Sequence, residues 1–236
     1  SGSIERPLVF GNNDTPGVML SSAAKEYLKV YGVLVGKKPL IFTNNDSGYE
    51  TAIEFKKNGV DPIILDTRKE PKSEIIDEAK KLDIQIKFSY VVVAAKGYKK
   101  VKSAEVAKIS DDKNELGTLE NINCDCICVS GFWTPTIHLA SQSGNKTTFN
   151  KDIDAFVPGL SKQNETTLGA ANGTFTLEET LKNSFESGYE LSKKITNNDN
   201  KTSSPTVMEK KSTTHDKFWC VPLPKGKTYK RFLDFQ

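Results

Sequence analysis

The residues best suited to do chemistry follow the apolar run 39–43, where a short strand is predicted to meet a helix. Dinucleotide-binding βαβ units place three glycines at such a turn, because bare backbone must closely approach the pyrophosphate. Only the third glycine is present, as Gly48, while Thr43 and Asn45 occupy the other two positions. Asp46 adds a negative charge where the helix N-terminus would otherwise attract an anion. The pattern favours a Rossmann-like unit that no longer binds a dinucleotide.

A second interpretation keeps a modified cofactor pocket at this turn. In it, Asn44 and Asn45 donate hydrogen bonds, and Asp66, at the end of the next predicted strand, binds a ribose hydroxyl. The candidate cofactor-binding residues of this unit are therefore Thr43, Asn44, Asn45 and Asp66. The sequence leaves both interpretations open.

The sequence predicts no catalytic residue and no metal site. The two histidines, His138 and His215, and the scattered acids show no metal-ligand spacing. Cys124, Cys126 and Cys128 alternate along a predicted strand, and the chain has no Cys-x-x-Cys pair. The cysteines are therefore predicted to be free thiols in a reducing cytoplasm.

Composition narrows the classes of partner. The 236 residues include 33 Lys and Arg against 30 Asp and Glu, for a formal net charge of +3. Because the basic residues are dispersed among acids along the sequence, we predict no nucleic-acid partner. No apolar run approaches the roughly 18–20 residues that cross a bilayer, so we predict no membrane association. The length fits one large or two small domains.

Hydrophobic patterns predict an α/β fold. Strands are predicted over 39–43 and 62–66, with a helix between them that begins at a capping box of Ser47 and Glu50. Together these three elements form a βαβ unit with parallel strands. Further helices are predicted over 19–31 and 72–82. An antiparallel meander is predicted to follow over 84–88, 90–95, 99–109 and 117–122, before the chain returns to the buried sheet at 126–129.

The C-terminal part holds a second glycine-containing turn. The stretch 169–173 reads Gly-Ala-Ala-Asn-Gly and precedes a capping box, Thr176 to Glu179, which opens a helix that extends to Ile195. Its amides have the character of a pyrophosphate site, but a tight packing turn explains the same residues. Residues 196–216 are predicted to be a flexible linker, and the last twenty residues are apolar enough to dock.

Several motifs together resemble a known family. The segment 131–136 is similar to a Gly-Arg-x-Pro-Asn turn of pyridine nucleotide–disulfide oxidoreductases. From about residue 5 onward, the chain resembles the alpha subunit of heterotetrameric sarcosine oxidase. The motifs that carry this resemblance are Arg6–Phe10, Asp14–Leu20, Phe42–Ser47, Ser130–Leu139, Ser141–Gly144 and Phe232–Gln236.

The resemblance implies a fold and a function. The fold would be the second nucleotide-type domain of a two-dinucleotide-domain flavoprotein: a Rossmann-like parallel sheet with helices and an inserted β-meander. The complete enzyme oxidatively demethylates sarcosine, with FAD and FMN held mainly by other chains and NAD bound by the alpha subunit. Its partners would be the remaining parts of the alpha subunit and the beta, gamma and delta subunits. Because Leu160 stands where flavin reductases carry an Asp, FAD on this chain is disfavoured.

The resemblance also implies domains and a cofactor segment. The NAD-lining residues would be Gly169, Ala170, Asn172, Gly173 and Phe175. The first nucleotide domain, which lacks its Gly-rich motif here, would comprise 1–32 and 141–195, the second domain 33–140, and the linker and docking segment 196–236. The chain alone would be inactive. Two alternatives are a degenerate Rossmann interaction module without cofactor and an opine or amino-acid dehydrogenase alpha subunit.

Overall fold

The structure, a computed structural model, describes residues 2–196, 203–207 and 215–233. It divides the chain into a smaller unit, residues 1–4 with 133–213, and a larger unit, residues 5–132 with 214–236. Most of the predicted linker, at 197–202 and 208–214, lies outside the described residues. The finer domain boundaries given by the sequence stay a prediction.

The described elements comprise twelve strands, five α-helices and one 3₁₀ helix. In chain order they are β1 (Ser3–Glu5), β2 (Val18–Leu20), α1 (Ser21–Tyr31), β3 (Pro39–Thr43), α2 (Ser47–Lys57), β4 (Ile63–Asp66), α3 (Glu74–Lys81), β5 (Gln85–Phe88), β6 (Tyr90–Lys96), β7 (Ser103–Lys108), β8 (Glu120–Asn123), β9 (Cys126–Ser130), β10 (Trp133–Pro135), α4 (His138–Gln142), β11 (Thr147–Asn150), β12 (Ala155–Pro158), the 3₁₀ helix (Gly169–Asn172) and α5 (Leu177–Thr196).

A five-stranded parallel sheet forms the centre of the larger unit, in the order β2-β9-β3-β4-β5. Every residue of β3 and β9 is buried, because apolar layers cover both faces of the sheet. Helices α1, α2 and α3 pack on one face, and the meander β6-β7-β8 packs on the other. The predicted α/β fold with a parallel sheet and an antiparallel meander is confirmed.

Two predictions about the sheet were wrong. The segment 84–88 was assigned to the meander, but β5 pairs in parallel with β4 and forms the sheet edge, because α3 carries the chain back to that edge. The helix predicted from Met19 begins at Ser21, since Val18–Leu20 pair with Ile127–Val129 as a third parallel neighbour. Gly32 is the C-cap of α1, with a left-handed φ of 65°.

The smaller unit is built from short elements. Strand β1 pairs with β10, and β11 pairs antiparallel with β12, so that Asn150 lies opposite Ala155. Helix α5 opens on the predicted capping box: the amide of Glu179 donates to Thr176 Oγ1 at 3.3 Å, and the two side chains are 2.8 Å apart. None of the helices in the described ranges has the length and apolar character of a membrane span.

Candidate functional site

The first group of candidate residues lies at the carboxyl edge of the parallel sheet. Thr43 ends β3 and is paired in register with Asp66 at the end of β4 and with Ser130 at the end of β9. Asn44 and Asn45 follow Thr43 directly. The structure therefore brings all four predicted residues of this unit together, and each of them is fully buried.

Asn45 fills the space that a glycine would leave open. Its Nδ2 donates to the Ser130 carbonyl at 3.1 Å and to Asn44 Oδ1 at 2.9 Å. Its Oδ1 accepts the amide of Ser47 at 2.8 Å, so the predicted Ser47 capping box is wrong: Asp46 is the N-cap, and Asn45 satisfies the first turn. Gly48 is needed for helix–strand packing, because a Cβ there would lie 2.7 Å from Thr43 Cβ.

The Asp66 carboxylate is bound by protein groups on both oxygens. Its Oδ2 accepts the Tyr49 hydroxyl at 2.7 Å and Arg68 Nη2 at 2.8 Å, and its Oδ1 accepts Arg68 Nε at 3.0 Å. Arg68 Nη1 also donates to Asp46 at 2.7 Å. Burial, with the adjacent Asp66 carboxylate, raises the pKa of the Tyr49 hydroxyl. Burial alone would lower the pKa of Arg68, but hydrogen bonds and charge from Asp66 and Asp46 raise it. This buried network occupies the carboxylate that was predicted to meet a ribose.

Residues 215–221, which we call the C-terminal strap, cover this edge. Asn44 Nδ2 donates to the carbonyls of Asp216 at 2.9 Å and Phe218 at 3.1 Å, and the Asp216 amide donates back to the Asn44 carbonyl at 2.9 Å. The His215 ring stacks on Phe132 with ring centroids 3.9 Å apart and planes 7° from parallel. The chain itself therefore covers the carboxyl edge of the sheet at Asn44.

The strap is held along its length. The Asp216 carboxylate lies 2.7 Å from Lys113 Nζ. Val9 donates its amide to the Trp219 carbonyl at 2.8 Å and accepts the Val221 amide at 2.8 Å, while the buried Val221 side chain joins the core. The sequence did not indicate Arg68 or Lys113 as parts of this site, and it predicted docking of the last twenty residues without indicating where they dock. The only sequence signal was the apolar character of residues 218–221.

An open cavity of about 430 Å³ lies beside the strap. Its cations each face an acid within the chain: Arg68 faces Asp66, Lys69 faces Asp111, and Lys113 faces Asp216. Each of these three cations is therefore paired with an acid of the chain. Among the described residues, no cluster of three or more His, Cys, Asp or Glu is placed to hold a metal ion.

The second group of candidate residues lies in the smaller unit, on the 3₁₀ helix Gly169–Asn172 and the turn after it. Gly169 and Gly173 have left-handed φ values of 67° and 79°. A Cβ on Gly173 would lie 2.7 Å from Ile153 Cδ1, the end of a flexible side chain, so the left-handed backbone favours glycine here more than packing does. Ala170 and Phe175 are half-buried and Asn172 is exposed, so the outer side of the turn is accessible.

Two carboxylates stand just after this turn. Glu179 is engaged with Thr176 in the capping box, and Glu178 is exposed in the first turn of α5. Both complement the positive end of the helix. Within the turn before them, the Gly173 amide donates to the Ala170 carbonyl and the Thr174 amide to the Gly169 carbonyl, both at 3.1 Å. The Gly169–Gly173 turn is accessible on its outer side, whereas the sheet edge at Asn45 is buried.

Other buried polar groups of the larger unit have structural roles. Glu5 is 3% exposed and accepts the Ser22 amide at 2.7 Å, which caps α1. Burial raises the pKa of Glu5, and hydrogen bonds from Ser130 and Ser22 offset part of that rise. Burial also raises the pKa of the Cys124 thiol to about 12. These groups lie within the core and do not form a reactive constellation.

Comparisons with known proteins identify related sequences, although no protein-family model matches the chain. The sarcosine oxidase alpha subunit of Rhizobium meliloti (strain 1021) is 38% identical over 182 residues, 74% of this chain and 17% of that protein. The corresponding subunit of Corynebacterium sp. (strain P-1) is 33% identical over 183 residues, 77% of this chain and 19% of that protein. The chain thus spans less than a fifth of the length of these relatives.

Solved structures share the fold at low sequence identity. Lactococcus lactis thioredoxin reductase matches with a TM-score of 0.56 and 15% identity, over 75% of this chain and 57% of that one. L-proline dehydrogenase from P. horikoshii matches with a TM-score of 0.51 and 19% identity, over 83% of this chain and 34% of that one. The resemblance predicted from the motifs is confirmed: over about three quarters of its length, this chain is related to a segment of the sarcosine oxidase alpha subunits.

Proposed function

We propose that this chain is the nucleotide-domain part of the alpha subunit of a sarcosine oxidase-like oxidoreductase. The observation that carries the proposal is the 31–38% identity to proteins named sarcosine oxidase subunit alpha, over 72–77% of this chain. The substrate of the complete complex would be sarcosine. Its other partners would be the rest of the alpha subunit and the beta, gamma and delta subunits. The free, buried Cys124, Cys126 and Cys128 fit a reducing, cytoplasmic location.

The larger unit would act as a scaffold within that subunit. Asn45 fills the glycine position, Asp66 is bound by Arg68 and Tyr49, and the strap covers the edge. These contacts support the interpretation in which the unit keeps the Rossmann shape without a dinucleotide. FAD and FMN, held mainly by other chains, would supply the redox chemistry of the complex.

NAD would be held through the smaller unit. Ala170, Asn172 and Phe175 line the accessible side of the turn, and Gly169 and Gly173 give it the left-handed backbone that a close approach to pyrophosphate requires. Residues outside this sequence would complete the site. The contribution of this chain is to bind and orient the cofactor through backbone amides.

A charge substitution in the complete alpha subunit tests the NAD proposal. Ala170→Glu places a carboxylate against the pyrophosphate, so NAD bound to the purified subunit should fall at least about tenfold, as measured by release and quantification. Ile195→Glu adds the same charge at a residue that is 81% exposed, at the far end of α5 in the same unit, and it should leave NAD content unchanged. Equal NAD content in both variants would exclude the Gly169–Phe175 turn as the cofactor site.

A second candidate function is an interaction module without any cofactor. The observation that favours it is the closed edge of the larger unit, where Asn44 and Asn45 are fully buried. Calorimetric titration of NAD into this chain and into the complete alpha subunit separates the two candidates. Saturable binding to the complete subunit supports the first, and absence of binding to both supports the second.

A further inference from the structure

The fold gathers basic residues that are far apart in the sequence onto one surface. They come from the loop of the β6–β7 hairpin and from the segment after the strap. We define this basic surface as residues 96–102 and 225–231, whose cationic side chains are those of Lys96, Lys99, Lys100, Lys102, Lys225, Lys227, Lys230 and Arg231. All of these side chains except the half-buried Lys96 are exposed.

One buried carboxylate joins the two segments. Glu105 Oε1 lies 2.8 Å from Lys227 Nζ and 3.6 Å from Lys96 Nζ, and the Tyr229 hydroxyl donates to the other oxygen. Lys96 Nζ also lies 5.1 Å from the centroid of the Tyr229 ring. The contact between Lys227 and Glu105 spans 122 sequence positions, so the surface exists only in the folded chain.

The hairpin loop holds its lysines on a fixed backbone. The Lys102 amide donates to the Lys96 carbonyl at 2.8 Å and closes the loop. Val101 is 1% exposed and anchors the loop in the core. Gly97 has φ of 154°, and a Cβ there would lie 1.9 Å from the Lys100 carbonyl oxygen, so only glycine fits. The charges are therefore preorganised, and binding of a partner would lose little conformational entropy in the backbone of this loop.

The charge on this surface contrasts with the rest of the chain. The segments 96–105 and 225–233 contain eight basic residues and a single acid, Glu105, for a formal charge of +7. Because the whole chain carries +3, the remaining residues carry −4. Neighbouring lysines without interspersed acids repel one another, so a partner of opposite charge gains from binding them.

We infer that the basic surface binds a carboxylate-rich segment of another polypeptide. Seven of its eight cations are lysines, whereas phosphate recognition favours the bidentate fork of arginine. A long nucleic acid would also extend over the −4 remainder of the chain and be repelled there. Tyr98, which is 93% exposed at the loop tip, adds an aromatic ring of the kind that is enriched in protein interfaces.

A charge-reversal experiment on the full chain tests this inference. The probe is a fluorescent oligoglutamate peptide of about 16 residues, with binding followed by anisotropy at about 50 mM salt. Lys99→Glu combined with Lys100→Glu should weaken binding about tenfold. The control, Lys72→Glu combined with Lys81→Glu, makes the same change in net charge at exposed residues near α3, on the other face of the sheet, and should change affinity less than about twofold.

A second variant tests whether a loss of affinity in the first one comes from its charge or from a local folding defect. Lys225→Glu combined with Lys230→Glu, on the other segment, should reproduce the loss of affinity with an unchanged far-ultraviolet dichroism spectrum. Equal weakening by the control and the test variants would overturn the inference, because it would show attraction by net charge alone. Tighter binding of an oligothymidylate of the same length would overturn it in favour of nucleic acid. None of these readouts involves NAD or sarcosine, so their failure is distinct from failure of the proposed function.

Discussion

Substitution of Arg68 by Met should strongly destabilise the larger unit. The Arg68 side chain is 9% exposed, and its Nη2 lies 2.8 Å from the Asp66 carboxylate, which is fully buried. Its Nη1 also binds Asp46 at 2.7 Å. Methionine fills similar volume but leaves the Asp66 charge without a cation. Removing one partner of a buried ion pair costs about 3–5 kcal/mol, a large part of the roughly 5–15 kcal/mol that stabilises a typical fold.

Urea unfolding of the full chain, followed by far-ultraviolet circular dichroism, measures this loss. The neighbouring Lys69→Met is a matched control, because Lys69 pairs with Asp111 while both side chains remain more than 65% exposed. Such a surface pair is worth about 0–1 kcal/mol. Adding Asp66→Asn to Arg68→Met removes the orphaned charge and should recover part of the lost stability. A loss below about 1 kcal/mol in Arg68→Met, or one equal to that of Lys69→Met, would refute the reasoning.

Three further predictions concern other buried groups. Because burial raises the pKa of Glu5 above its usual 4.5, the stabilising contribution of Glu5 is complete below pH 4.5 and is lost as pH rises through the pKa of the folded state. Glu5→Gln should flatten this part of the curve of unfolding free energy against pH, measured by urea unfolding. Iodoacetamide should modify only Cys220 in the folded chain, since the other three thiols are buried, and mass spectrometry of a rapidly modified Cys124 would contradict this. Gly173→Ala should lower the free energy of unfolding by about 1–3 kcal/mol, as measured by thermal unfolding, because alanine is strained at φ 79° and its Cβ would lie 2.7 Å from Ile153 Cδ1.

The central sheet could be predicted from the sequence because its signals are local. The apolar runs at Pro39–Thr43 and Ile63–Asp66 form buried strands, and the helix between them ends at Lys57, with Asn58 as its C-cap. A strand, a helix and a strand in about thirty residues leave few topologies open. The parallel register of β3 with β4 follows from that connection.

Short segments were harder to assign, because one pattern fits two structures. Val18–Leu20 is a short apolar run, which is compatible with the start of a helix as well as with a strand. Its pairing with β9 makes it a strand. Ser47 and Glu50 have the spacing of a capping box, but in the structure Asn45 Oδ1 accepts the Ser47 amide at the start of the helix. In both cases a neighbour in space overrides the local preference.

The closed edge and the basic surface could not be read from the sequence. The hydrogen bonds from Asn44 to Asp216 and Phe218 span 172 and 174 positions, and no local pattern encodes such a pairing. The sequence shows 96–102 and 225–231 as two separate basic runs, but not that they meet, because the contact between Lys227 and Glu105 spans 122 positions. The sequence therefore indicated that Thr43, Asn44, Asn45 and Asp66 come together, but not that the strap covers them.

The discontinuous larger unit has a consequence for the order in which this protein folds. Its sheet is encoded by residue 130, but Val9 and Asn44 receive their strap partners only when residues 216–221 have left the ribosome. At about 5–20 residues per second, the intervening stretch takes roughly 5–20 seconds to synthesise. During that interval the nascent sheet waits with an open carboxyl edge, while the chain of the smaller unit emerges and completes α5.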